Sequence, residues 1–211
     1  STMGIIGITA IQNITNSALN AGKRIVSSLT IDPVTTGLTE YETKMGAIQT
    51  ILTNTKSKGT TLDDVNKALG ELNEYSDKTI YNFAEMTRNI GTFTAAGVDL
   101  KTSTSAIKGI ANLAAGSGST SQQASTAMYQ LSQAIAAGSV KVQDWNSVVN
   151  AGMGGELFQN ALKQSARELG IFVDESKPFR ATLEQGWITT EVLTKTLSRF
   201  AEDADLVKAA T

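Results

Sequence analysis

Residues 128–155, MYQLSQAIAAGSVKVQDWNSVVNAGMGG, start as a helix, stop at a glycine, restart near an aspartate and stop again at glycines. Ala124, Met128, Leu131 and Ile135 recur at helical spacing, and Gly138 supplies the left-handed stop that a residue with a Cβ resists. Val140 and Val142 alternate in the following SVKVQ, so two or three residues there are expected to be extended. Asp144 reads as the N-cap of a two-turn helix, WNSVVNAG, held by Trp145 and Val149, after which Gly152 redirects the chain. This is the grammar of a compact unit built from short helices.

The same punctuation continues towards the C-terminus. In ELFQNALKQSARELG, Leu157, Ala161, Leu162, Ser165 and Leu169 face one way and Gly170 ends the helix. IFVDES, residues 171–176, is the candidate partner of SVKV in a minimal two-stranded patch. Pro178 and Gly186 bracket a two-turn helix, PFRATLEQG, with proline at the first helical position and glycine past the end. Ile188, Thr189 and Leu193 supply a staple and cap for a last helix, TTEVLTKTLSRFAEDADLVKAA.

Towards the N-terminus the pattern is similar. Thr120 and Gln123 form a capping box, and the GSGSTS before the helix reads as a linker. It lacks the lysine of a phosphate-binding loop, and no βαβ strand precedes it. Ile107, Ile110 and Ala114 mark another small-residue helix. Asn82 with Glu85 caps FAEMTRNIGTFTAAG, closed by Gly97, and Thr61 caps a helix with Leu62, Val65, Leu69, Leu72 and Tyr75 inward. Leu38, Tyr41, Met45, Ile48 and Leu52 make one apolar stripe. A first helix is expected over about 5–29, ended by TIDPVTTG, where Pro33 holds Asp32 out of the helical region. The opening STM reads as an appended remnant ending in an initiator Met, or as an internal cut.

Composition narrows the chemistry. The 211 residues, 41% hydrophobic, can bury a real core, but only 6% are aromatic, so helices are expected to pack on Ala and Gly faces. A net charge of -2 offers no field to draw in a polyanion, so direct nucleic-acid binding is not expected. With no Cys and no His, disulfides, thiolate chemistry, the usual zinc ligands and the Ser-His-Asp arrangement are all absent. The acidic AEDADL, with Glu202, Asp203 and Asp205, lacks the glycine turn and closing Glu of a calcium loop and reads as a solvated helix end. Glu40 with Glu42, and Glu71 with Glu74, sit on helices with no apolar pocket to raise one carboxyl. No cofactor, metal or catalytic residue is therefore expected, and the chain does not read as an enzyme. No run approaches the about 18 apolar residues of a membrane span.

The expected fold is all-α, a multi-helix globular domain of short glycine-punctuated helices with at most a minimal two-stranded patch. Three stretches are expected: 1–36 as an N-terminal helix and linker, 37–200 as the helical domain, and 201–211 as a helix end leading into a missing remainder. Gly138, Asp144 and Gly152 are the structural caps. Trp145, Phe179 and Trp187 are candidates first for core packing and then for contact with a partner protein, since buried aromatics also dominate interface hot spots.

Three blocks carry a resemblance: GLTEYETKMGAIQTILTNTKSKGTTLDDVNKALGELNEYSDKTIYNFAEMTRNIGTFTAAGVDL, IKGIANLAAGSGSTSQQASTAMYQLSQAIAAGSVKVQDWNSVVNAGMGG, and FRATLEQGWITTEVLTKTL. In family order and with few interruptions over about 37–200, they resemble the N-terminal domain of tape measure proteins from long-tailed phages and prophages of Gram-positive bacteria. The resemblance implies a structural virion protein, assembled in the host cytoplasm and carried in the tail. Such a protein templates polymerisation of the tail tube, helps set tail length and leaves the tube during DNA delivery. It implies as partners the tail-tube protein, tail assembly chaperones and tail-tip proteins, together with self-association. The alternative is a membrane-active module, in which apolar small-residue helices such as IKGIANLAAG aid DNA passage through membrane contact. Family members are much longer, and their later parts supply the extended helical ruler, so this chain reads as a globular terminal piece of a larger protein.

Overall fold

The computed structural model describes residues 38–211. The helix expected over 5–29 and its stop at Asp32–Pro33 lie outside the described residues. Among the described residues the fold is all-α: ten α-helices and two short 3-10 turns, with no sheet. The helices are α1 (Leu38–Thr55), α2 (Leu62–Lys78), α3 (Phe83–Ala95), α4 (Leu100–Gly116), α5 (Ser121–Ala137), α6 (Val142–Asn150), α7 (Glu156–Glu168), α8 (Phe179–Thr182), α9 (Thr190–Glu202) and α10 (Ala204–Ala210). The described residues divide into two compact units, the first ending at residue 104 and the second spanning 105–211, with the division falling inside α4.

In the first unit α3 packs against α1 and α2. Ile48, Ile51, Val65, Leu69, Leu72, Ile90 and Phe93 are fully buried. The inward face of α1 runs through Ile48, Ile51 and Thr55 rather than the expected Ile48 and Leu52, and Leu52 is half-buried. The Thr55 hydroxyl satisfies itself on the Ile51 carbonyl at 2.6 Å, which lets a threonine occupy the core face. Asn54 ties α1 to α3 by donating to the Gly91 carbonyl at 3.2 Å. The α2 start is a full capping box, Thr61 with Asp64, whereas at α3 only Asn82 accepts, from the Glu85 N–H at 3.1 Å. Tyr75 and Tyr81 stack with centroids 6.3 Å apart, and burial pushes the Tyr81 phenol up to about 12.

The second unit holds residues 128–155. Leu131, Trp145, Val148, Phe158, Leu162, Leu193 and Leu197 form its core, with α6 on α5, α9 on α7 and α10 on α9. Four of the glycine stops share one mechanism. At Gly97, Gly118, Gly152 and Gly170 the next residue's N–H reaches back to the carbonyl five residues earlier: Val98 to Phe93, Ser119 to Ala114, Met153 to Val148 and Ile171 to Ala166. These are Schellman closures, which satisfy carbonyls the helix end would orphan. The residue after the glycine is thereby turned inward, so Val98 and Met153 are buried. GSGSTS is thus a tied corner more than a linker. The buried Ser119 hydroxyl donates to the Ala151 carbonyl at 2.7 Å, joining the end of α4 to the end of α6.

Four local expectations need correction. Asp144 is not the N-cap of α6, which begins at Val142; it stands at the third position and its carboxylate accepts the Lys141 N–H at 2.8 Å. SVKV does not pair with residues 171–174: Ser139 bridges Thr189, and the Val140 N–H donates to the Ile188 carbonyl at 2.9 Å. The buried face of α7 is Phe158, Leu162, Ser165 and Ala166, leaving Leu157 48% exposed. Finally, the last helix is two, broken at Asp203 with φ -65° and ψ 117°.

Gly138 has φ 99°, where a β-branched residue is strained. We expect Gly138→Val to cost about 1–3 kcal/mol, and Asp144→Ala about 1 kcal/mol through loss of its bond to the Lys141 N–H. Urea melts of both variants check these values, and an unchanged midpoint for Gly138→Val removes the strain argument.

Candidate partner-contact site

The second unit gathers its large rings into one chain of contacts. Phe200 on α9 meets Phe158 on α7 at 5.8 Å between centroids, Phe158 meets Trp145 on α6 at 5.4 Å, Trp145 meets Phe179 on α8 at 4.6 Å, and Phe179 meets Trp187 at 5.7 Å. Edge and tilted geometries prevail, as ring quadrupoles favour. Each ring is delivered by a local device. The Lys141–Asp144 bond sets the first turn carrying Trp145, and the Gly186 turn, at φ 67°, swings Trp187 back over α8. The Trp187 indole N–H then donates to the Thr182 hydroxyl at 2.9 Å.

Of the three aromatic candidates, Trp145 and Trp187 are buried, at 2% and 3% exposure, and Phe179 is half-buried at the edge with the Lys163 ammonium 6.0 Å from its ring. The arrangement places two of the three inside the unit and only Phe179 at a surface. Gly138 and Gly152 both stand at positive φ at helix ends, and Asp144 within the first turn of α6.

The most exposed aromatic among the described residues, which sequence reasoning missed, is Phe172. It is 78% exposed in the turn after Gly170, beside a groove of about 370 Å³ lined by Lys163, Arg167, Ile171 and Glu175 among others. Its signal in the sequence is an aromatic between two breakers, Gly170 and Pro178, in a segment too short to bury both neighbours. Arg167 pairs with Glu175 at 3.2 Å across the groove, an exposed pair worth under about 1 kcal/mol. On the α7–α9 side, partial desolvation raises the Glu168 carboxyl, but hydrogen bonding and charge from Arg199 and Lys195 outweigh it and hold it below the usual range.

Nothing in this arrangement supplies a nucleophile with a base beside it. Among the described residues no group of three or more metal-ligating side chains comes together, and no helix is long and apolar enough to cross a membrane. Asp203 of the acidic end caps α10, accepting from the N–H groups of Asp205 and Leu206 at 3.0 Å each. Glu74 pairs with Lys78 at 2.7 Å on the surface of α2.

A family model described as tape measure protein matches residues 36–210. The chain belongs to the tape measure protein family. No curated protein and no solved structure matches it. The family is one of structural proteins of the phage tail, which makes the chain a virion tail component that interacts with other tail parts.

Trp145→Ala is expected to cost about 3–5 kcal/mol, because it empties the middle of the ring chain. Phe172→Ser should change stability by no more than about 0.5 kcal/mol. Thermal melts of the two variants separate them, and a loss of stability in Phe172→Ser comparable to that in Trp145→Ala would mean Phe172 is a packing residue.

Proposed function

We propose that this chain takes part in assembly and length determination of a long phage tail. In this reading it is the compact terminal module of a template around which tail-tube protein polymerises and which later leaves the tube during DNA delivery. The observation that carries the proposal is the family match over nearly the whole described chain. The fold suggests which part of the task falls here. The longest helix among the described residues, α1, has 18 residues and spans about 27 Å, so residues folded this way add little axial length. Docking or initiation suits them better than measuring. Tail-tube protein, tail assembly chaperones and tail-tip proteins are the partners this role calls for, together with self-association, and the host cytoplasm is the place of assembly. The resemblance of the three sequence blocks supports a Gram-positive host.

The test is an in-frame deletion of residues 37–200 in the phage, with tails measured by electron microscopy. We expect few tails, or tubes of irregular length, and not a uniform population shortened by the about 250 Å those residues would span as one helix. A narrow population shortened in that proportion would show that the segment unfolds into the ruler and would overturn the docking role. Dye release from liposomes by the isolated chain would instead favour a membrane-active module.

A further inference from the structure

The break between α9 and α10 is not made by a helix breaker. Residues 199–206, RFAEDADL, contain neither glycine nor proline, and every residue in them tolerates a helix. Two side chains hold the break open by taking over backbone groups that would otherwise bond each other. Asn112, fully buried on α4, donates to the carbonyls of Phe200 at 2.9 Å and Ala201 at 3.3 Å. The Asp203 carboxylate accepts from the N–H groups of Asp205 and Leu206. In an uninterrupted helix the Phe200 and Ala201 carbonyls would accept from residues 204 and 205, and the Glu202 carbonyl from residue 206. The hydrogen bonds lost at the break are thus replaced nearly one for one, so backbone bonding does not decide between the two forms.

Packing decides. Leu206, 6% exposed, lies against Gly116 at the end of α4, where a Cβ would run into the Leu206 side chain. Ala210 is buried one turn further on, at 3% exposure. The buried stripe of α9, through Leu193, Leu197 and Phe200, would continue in a straight helix to Ala204 and Val207, not to Leu206. The break therefore rotates α10 so that Leu206 faces inward and Val207 is left 36% exposed.

We propose that residues 190–210 form a two-state element: a broken, docked form latched by Leu206 on Gly116, and a single continuous helix of about 31 Å once that contact is withdrawn. Asn112 biases the pair towards the docked form, because in a straight helix the N–H groups of residues 204 and 205 compete with it for both carbonyls. Anything that pulls α10 from α4 converts a folded-back end into a straight strut without breaking helical bonding. This goes beyond the proposed tail role and does not depend on it.

The chain has no cysteine, so nitroxide labels on cysteines introduced at exposed Glu191 and Lys208 report this distance cleanly. A continuous helix separates their Cα atoms by about 26 Å. In the docked form Phe200 lies at Asn112 and Leu206 at Gly116, about 6 Å apart along α4 where the same stretch of straight helix would span about 9 Å, so docking shortens the separation. The unaltered latch should give a narrow distribution at a shorter distance. Gly116→Val, which expels Leu206, and Leu206→Ala, which only removes the docking side chain, should both shift the distribution towards the straight-helix value with far-UV helicity kept. Adding Ala204→Pro should restore the short distance, since proline suits the first position of α10 and the extended ψ of Asp203 but forbids the continuous helix. The proposal is overturned if Leu206→Ala leaves the distance unchanged, if it broadens the distribution with loss of helicity, or if Ala204→Pro fails to restore the short distance.

Discussion

The second unit depends on how closely α4 and α9 approach. A Cβ on Gly109 would run into the carbonyl oxygen of Leu197, so the two backbones meet with no side chain between them. One turn along α4, Asn112 reaches the last carbonyls of α9. These two residues fix the axial register of α9, and with it the faces α9 offers to α7. Thr196 stands opposite Ser165 with hydroxyls 2.8 Å apart, and both are fully buried. A polar pair at the centre of a helix contact is tolerable only because each hydroxyl is satisfied, and that requires the register Gly109 permits.

The light composition has a structural answer. Of six Phe and two Trp in the chain, five make the single ring series from Phe200 through Phe158, Trp145 and Phe179 to Trp187. Elsewhere the core is aliphatic and small: Ala106, Ile107, Ile110, Ala111 and Ala114 all lie buried on α4. Large rings fill the space where short helices cross and leave gaps, while small residues line the places where helices touch. Few aromatics suffice because they are concentrated.

What could be read from the sequence was what is local. Thr61, Thr120 and Thr189 each accept from the N–H three residues on, as their spacing from the apolar run dictates, and Gly97, Gly138 and Gly170 end helices at positive φ because nothing else does so cheaply. What misled was what the neighbours decide. Asp144 has the chemistry of a cap but serves from inside the helix, because Lys141 already has the extended backbone a cap needs. In α7 both Leu157 and Phe158 are apolar, and only the position of Trp145 selects the second. Val140 found Ile188 instead of residues 171–174, because the Gly170 closure sends that turn to the surface with Phe172 bare. The break at Asp203 has no signal in its own segment beyond the capping aspartate, since the residues it docks on, Asn112 and Gly116, lie about ninety residues earlier. The rings at 145 and 187 could be recognised as anchors, but whether an anchor faces inward or towards a partner is a tertiary fact.

Helices of 4 to 18 residues, most of them ended at glycine corners, keep the chain from presenting axial length. The Schellman closures at Gly97 and Gly152 bury the residue after the glycine, so drawing the chain out straight would expose Val98 and Met153 and orphan the carbonyls they cap. Extension would have to dismantle every corner at once. The corner at Asp203 differs: it is held by side chains without a glycine, and a straight helix would recover much the same bonds. The resistance to extension is thus uneven along the chain, high at glycine corners where closure and core packing are coupled and lower at Asp203, where they are separable.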